Sequence, residues 1–300
     1  PVMPLYPGHA DYNEGTIPVD AALNAPEVIE QRIASIADEK SLLSDIFTEG
    51  TAPEGGAVIY ARATRDNLFP DGDVSPRLPG DEYNIVQPTR PEDRLAKVED
   101  FGAKIAVTDE ARRRNRAVDF DNAVTQLANT VIRKINRRAA ETVAAVIAEG
   151  DDDLHQVQAS AQWSTLLAHG PEATLSNPRE LPGADFATLA AKAEEDQLGI
   201  VYKTLLVSPA AKVELRNTYG PNLAALLSDL GLTMKTSVDI PAAHAYLIDP
   251  GKFGFVSYED HLTVETWRDE HHRQTWIQTY AGPVMGATMP GALAVINGIV

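Results

Sequence analysis

The residues with the most obvious chemical potential are His271 and His272, flanked by Asp269 and Glu270. Imidazole and carboxylate are zinc ligands, and a zinc-bound water drives hydrolysis. The spacing argues otherwise. These residues lie between two strand-like runs, Leu262–Arg268 and Gln274–Tyr280, and neighbours on a strand point to opposite faces. A polar hairpin turn is the ordinary reading, and a metal-dependent hydrolase using Asp269, His271 and His272 stands only as an alternative. Asp151-Asp152-Asp153 resembles a calcium loop by charge alone, without alternating oxygen ligands or a terminal Glu, and reads as a solvated turn. No phosphate-cradling glycine loop, nucleophile elbow or paired-histidine helix is present. The sequence therefore assigns no catalytic residue, no metal ligand and no cofactor.

A second group concerns binding rather than catalysis. Arg133, Lys134, Arg137 and Arg138 fall on one side of a helical wheel, opposite Ile135, Ala139, Val143 and Val146. The plain reading is a solvated face forming salt bridges. The sharper one is a surface turned towards nucleic acid or an acidic neighbour. Arg112, Arg113, Arg114 and Arg116 spread around the wheel and suit several separate partners.

These cations belong to the longest element in the chain. Between Gly102 and Gly150 there is neither glycine nor proline, although the chain holds 20 of each. Thr108 suits the N-cap, Asp109 and Glu110 suit the first turn, and Gly150 is a natural stop. Phe120, Val124, Leu127, Val131, Ile135, Ala139, Val143 and Val146 form an apolar stripe. A helix over this stretch would be roughly 60 Å long. Such a spine needs an equally long surface to cover it.

Three hundred residues with 44% apolar content suffice for one large or two modest domains. The net charge is −17, but Asp109–Glu149 carries eight basic against six acidic residues. The remaining 18 basic and 37 acidic residues give −19, a poor general match to phosphate. Cysteine is absent, which excludes disulfides and Cys-ligated zinc and leaves the compartment open. The N-terminus lacks the pattern of a signal peptide, and its leading Pro suits removal of an initiator Met. The uncharged stretch Gln274–Val300 is broken by glycine and proline and reads as strands, so a soluble protein is expected.

In chain order, residues 1–25 suggest an extended arm, and Pro26 suits the start of a short helix with Val28, Ile29, Ile33 and Ile36 on one face. Ala57–Arg62 and Phe101–Val107 read as strands. Between them, Asn67–Arg94 carries Pro70, Pro76, Pro79, Pro88 and Pro91. Loops of that length are uncommon in a compact domain. Either it is disordered or it finds order on a neighbouring subunit, and proline lowers the entropy lost on docking. After the spine, Gly150–Pro182 is ambiguous. Asp185 is placed as a helix cap, Ile200–Val207 as a buried strand, and Ser208-Pro209 as a helix start running to Arg216. Leu223–Leu230 suggests another helix. Strands follow at Thr233–Val238, Ala245–Ile248, Phe253–Tyr258, Leu262–Arg268, Gln274–Tyr280 and Ala292–Ile296.

This order resembles the Hong Kong 97-type major capsid protein of tailed double-stranded DNA phages, particularly those of actinobacterial hosts in its acidity and alanine content. The most specific stretches are Leu205-Leu206-Val207-Ser208-Pro209 with its following helix, Gly231 to Pro241, and Ala245-Tyr246-Leu247-Ile248-Asp249-Pro250. Leu262–Thr266 and Pro290–Val295 resemble the late strands. The resemblance implies an α+β fold with an N-terminal arm and short helix (1–54) and an extended β-hairpin loop (55–107). It also implies a peripheral domain with the spine (108–182 and 256–287) and an axial domain (183–255 and 288–300). It implies a structural protein, not an enzyme, assembling into hexamers and pentamers of an icosahedral shell in the host cytoplasm. Packaged DNA would be contacted weakly, and scaffold and portal proteins would be partners, with scaffolding separate or already removed. Arg62, Arg65, Asp71, Asp73, Arg77, Asp81 and Arg90 would serve the subunit interface, and Arg133, Lys134, Arg137 and Arg138 an interior or seam face. An encapsulin-like shell enclosing protein cargo is the alternative within the fold. Some family members weld their shells through a lysine on this loop. Here no lysine occurs between Lys40 and Lys97, so a purely non-covalent shell is expected.

Overall fold

The computed structural model describes residues 29–31, 33–36, 41–69, 76–113, 117–169 and 171–300, with the side chains of 66, 112–113, 117–121 and 173 left aside. The N-terminal arm, Pro26, Val28, Asp71, Asp73, Arg114 and Arg116, and the side chains of Arg112, Arg113 and Phe120, lie outside the described residues. Residues 29–31 and 33–36 are helical. Then come α1 (Leu43–Ile46), β1 (Thr48–Glu49), β2 (Ala57–Arg62), α2 (Arg65–Leu68), β3 (Glu92–Lys97), β4 (Phe101–Thr108), α3 (Asp109–Arg113) and the spine α4 (Ala117–Glu149). The second half holds β5 (His155–Gln158), α5 (Pro182–Glu195), β6 (Thr204–Val207), α6 (Pro209–Tyr219), α7 (Leu223–Asp229) and β7 (Thr233–Thr236). It closes with β8 (His244–Ile248), β9 (Gly254–Tyr258), β10 (Thr263–Asp269), β11 (Gln274–Ala281), β12 (Pro283–Ala287) and β13 (Leu293–Asn297).

The stretch expected as one helix is described as two, α3 and the spine α4, with residues 114–116 between them outside the described residues; its start and its end fall where the sequence places them. Thr108 Oγ1 accepts from the Ala111 amide at 3.3 Å, and Gly150 ends the helix at φ +66°, a conformation that side chains disfavour. Its apolar stripe serves two cores. Val124, Leu127, Ala128 and Ile132 pack with Ile29, Ile33, Val264 and Ile277, while Val131, Ile135, Ala139, Val143 and Val146 join the main core. A helix of 33 residues is too long for one small sheet to cover, and the chain covers it in two parts.

Under the first part lies the antiparallel sheet β10-β11-β4. Its strands β4 and β11 alternate in burial, as expected for a sheet with one face on a helix. The five-stranded sheet runs β5-β13-β8-β6-β7 and is mixed in direction. Its inner strands β6, β8 and β13 are buried almost throughout, which explains their unbroken apolar sequences. The third sheet runs β1-β9-β12.

Several expectations need correction. Ala57–Arg62 does not partner Phe101–Val107. It pairs with the charged strand β3, Ala57 opposite Lys97 and Arg62 opposite Glu92, while Phe101–Thr108 pairs with β11. The physical reason is that Ala103, Ile105 and Val107 need the spine's apolar face, which a projecting hairpin lacks. Segment 155–158, in the stretch left ambiguous by its sequence, forms β5 and pairs in parallel with β13 in the five-stranded sheet. Asp185 is not a cap: α5 begins at Pro182, and buried Asp185 accepts from the Ser160 hydroxyl at 2.7 Å and its amide at 3.3 Å. The expected strand Ile200–Val207 shortens to Thr204–Val207. Ser208 does cap α6, accepting from the Ala211 amide at 3.2 Å, but the helix continues to Tyr219. Strand β12 is unforeseen, because its leading Pro283 and internal Gly286 resemble a loop. Gly286 is there because a Cβ would meet the rings of Phe255 and Tyr60 at 2.6 and 2.9 Å.

Candidate assembly surfaces

The β2–β3 hairpin is built from two faces. Val58, Tyr60 and Ala96 turn inward onto Phe255 and Val284, with Tyr60 and Phe255 edge to face at 5.3 Å. On the other face Ile59 sits directly opposite Leu95, and the two are 73% and 56% exposed. Further out, Leu78, Tyr83 and Ile85 are exposed too, Tyr83 at 75% and Ile85 at 91%. Arg77 lies 4.6 Å from the centre of the Tyr83 ring and donates to the Asp81 carbonyl at 2.7 Å. The described part of the excursion, residues 76–91, therefore has local order, and its large apolar side chains there are exposed.

Ionic contacts hold the hairpin base to the end of the spine. Arg62, only 4% exposed, donates to both Glu149 and Asp151. Arg94 donates to Glu149 at 3.0 Å and pairs with Glu92 at 3.3 Å. Burial raises the pKa of Glu149, but the hydrogen bonds and charges of Arg62 and Arg94 outweigh it and leave the carboxyl below its usual range. Arg65 donates its amide to Asp153 at 2.7 Å and its guanidinium to Asp196 at 3.2 Å. Asp196 also meets His155 at 2.7 Å.

The proposed interface set thus divides. Arg62 is buried in its own chain, where it anchors the hairpin, and Arg65 also has partners within the chain. Arg77 and Asp81 shape the excursion's tip, and Arg90 is exposed with Asp93 at 3.7 Å. Asp71 and Asp73 lie outside the described residues. The anchoring carboxylates Glu149 and Asp151 escape sequence reasoning, since nothing in the local pattern around either residue names an arginine some 90 positions away.

The basic spine face divides as well. Arg138 pairs with Glu99 at 2.9 Å, and Arg137 lies between Glu141 at 3.8 Å and Asp239 at 4.0 Å. Lys134 stands 5.5 Å from the Phe101 ring centre. Arg133 is exposed with no acidic partner among the described residues. It lines a groove of about 530 Å³ between the spine, α6 and β7, together with Lys212 and Lys235.

The histidine pair sits in the β10–β11 turn. Asp269 accepts from the His272 ring at 2.8 Å and amide at 3.2 Å, and from the Trp276 indole at 3.5 Å. The His272 hydrogen bond is the main reason its carboxyl is held at about 2. Among the described residues, no group of three or more His, Cys, Asp or Glu side chains converges as a metal site. No described helix is long and apolar enough to cross a membrane.

A spine, a projecting hairpin and a buried mixed sheet are now in place, and residues 91–296 match a family described as phage capsid protein. The chain belongs to the phage capsid protein family. Its fold is shared with a virus-like particle from Pyrococcus furiosus, at TM-score 0.62 and 12% identity over 90% of this chain and 98% of that one. It is shared with the capsid of Cyanophage P-SCSP1u, at TM-score 0.59 and 10% identity over 98% and 92%. Mycobacterium phage Bobi matches at TM-score 0.57 and 11% identity over 86% and 90%. No curated protein matches the sequence. The architecture is the Hong Kong 97-type capsid fold, the protein is a structural major capsid protein, and its place is the virion capsid.

Proposed function

We propose that this capsid protein assembles into hexamers and pentamers of an icosahedral shell around double-stranded DNA, each hairpin lying across an adjacent subunit. The five-stranded sheet with α5–α7 forms most of the axial domain, and the spine with β10-β11-β4 the peripheral domain. Assembly takes place in the host cytoplasm with scaffold and portal proteins. The observation that carries this reading is the solvent-facing pair Ile59–Leu95 with the exposed Tyr83 and Ile85. A two-stranded ribbon is marginally stable on its own, and apolar surface at this density marks an interaction site. Deleting Asp71–Glu82 tests it: the chain should fold and fail to form shells in the electron microscope. Normal particles from the deletion would refute the reading.

Contact with DNA is weak, because the residues outside the spine region carry net −19. Free subunits should bind DNA in a salt-sensitive way, and retention at about 0.2 M salt would contradict this. The shell is held without covalent links. Particles boiled in detergent should give one band near 32.4 kDa, and a ladder would contradict this.

A further inference from the structure

The groove beside the spine and the tip of the hairpin are complementary in charge and in greasiness. The groove's cations come from three elements: Arg133 on α4, Lys212 on α6 and Lys235 on β7. Lys235 is paired with Asp45 at 2.9 Å, whereas Arg133 and Lys212 have no carboxylate partner among the described residues. Leu42, Met234 and the exposed Val238 supply apolar lips. Lys212 and Met234 also line an adjoining hollow that holds Arg216, so the cationic surface continues along α6. Strand β7, which forms one wall, is the edge of the five-stranded sheet.

On the excursion, Asp81 and Glu82 are exposed and their carboxylates have no partner among the described residues. Tyr83 and Ile85 follow, both exposed. Arg77 fixes this segment by stacking on Tyr83 and holding the Asp81 carbonyl. A segment held in shape before docking loses less entropy on binding.

We propose that the groove between the spine and β7 receives the segment Asp81–Ile85 of a second copy of this chain. Asp81 and Glu82 meet Arg133 and Lys212, and Tyr83 and Ile85 cover Met234 and Val238. This rests on the reading that the hairpin docks on a neighbour, and adds the place where it docks. A second copy is favoured over nucleic acid because the groove combines cations with apolar lips, while a phosphate backbone offers charge alone.

The test places a photoreactive benzoylphenylalanine at Tyr83, in shells assembled from equal parts of heavy-isotope-labelled and unlabelled chains. After irradiation, mass spectrometry locates mixed-isotope cross-links. Links to residues 129–136, 209–216 or 233–239 of another copy are expected. Mixed-isotope links elsewhere overturn the groove and leave the docking reading standing; their absence overturns both. A charge exchange adds a second arm. Arg133→Glu with Lys212→Glu should cut the assembled fraction at least about tenfold, and adding Asp81→Arg with Glu82→Arg should restore it. Undiminished assembly with loss of bound DNA from the first pair would overturn the proposal in favour of nucleic acid.

Discussion

Two antiparallel hairpins of this chain are built alike locally and differ in what covers them. In β10–β11 the strands pair from Thr263–Tyr280 to Asp269–Gln274 across a short turn, and Val264 and Ile277 are buried beneath the spine. In β2–β3 the pairing runs just as regularly, yet Ile59 and Leu95 face solvent and the connection spans residues 63–91. The first hairpin completes its burial within the chain. The second completes only one face, through Tyr60 and Arg62, and its other face, with Ile59 and Leu95 exposed, is the one proposed to meet a partner. On the proposed function, this difference separates the part that folds from the part that assembles.

The contrast can be broken most forcefully by trimming each hairpin on its apolar face. Ile277→Ala should cost the isolated subunit about 2–5 kcal/mol, read by denaturant unfolding. Ile59→Ala should change subunit stability by less than about 0.5 kcal/mol while lowering the yield of shells. Equal losses of stability would erase the distinction.

The next effect concerns the hairpin's anchor. Arg62→Ala leaves Glu149 and Asp151 without their shared cation and should cost about 1–2 kcal/mol, reduced from the value for a fully buried pair because both carboxylates are partly exposed. The pH dependence has a definite sign. Glu149 has a lowered folded pKa, so its contribution is present above about pH 4.3, the ordinary glutamate value, and is lost as pH falls through the folded pKa. Acid should therefore loosen the base of the β2–β3 hairpin, and Glu149→Gln should flatten that response. Hydrogen exchange at Tyr60 and Arg94 amides reads both.

The smallest effect is expected in the closed hairpin's turn. Asp269→Asn removes the carboxylate that accepts from His272. It should speed exchange of the His272 amide and leave shell assembly unchanged.

Much of this division was legible in the sequence, for physical reasons that vary by element. The spine was legible because 33 helical residues repeat one apolar period without a breaker, and it ends at the expected Gly150, while Thr108 caps the short α3 before it. Ser208-Pro209 was legible because a cap followed by proline has few other uses. Strand pairing was not. Phe101–Val107 alternates as a strand, but alternation identifies a face and says nothing of the partner, and the charged β3 hid the true mate of β2. The partners of the candidate residues were not legible. Arg62 looks like any loop arginine until Glu149 and Asp151 are seen beside it, and the groove cations Arg133, Lys212 and Lys235 meet only in the folded chain.

The central claim is that the outer face of β2–β3 is covered by another copy. The chain has no cysteine, so Ile59→Cys gives a single thiol at that face. Its rate of alkylation can be compared in free subunits and in assembled shells. The account predicts fast labelling in the subunits and strong protection in the shells, because hot-spot side chains at the centre of an interface are shielded from water. Equal labelling in the two states would contradict it.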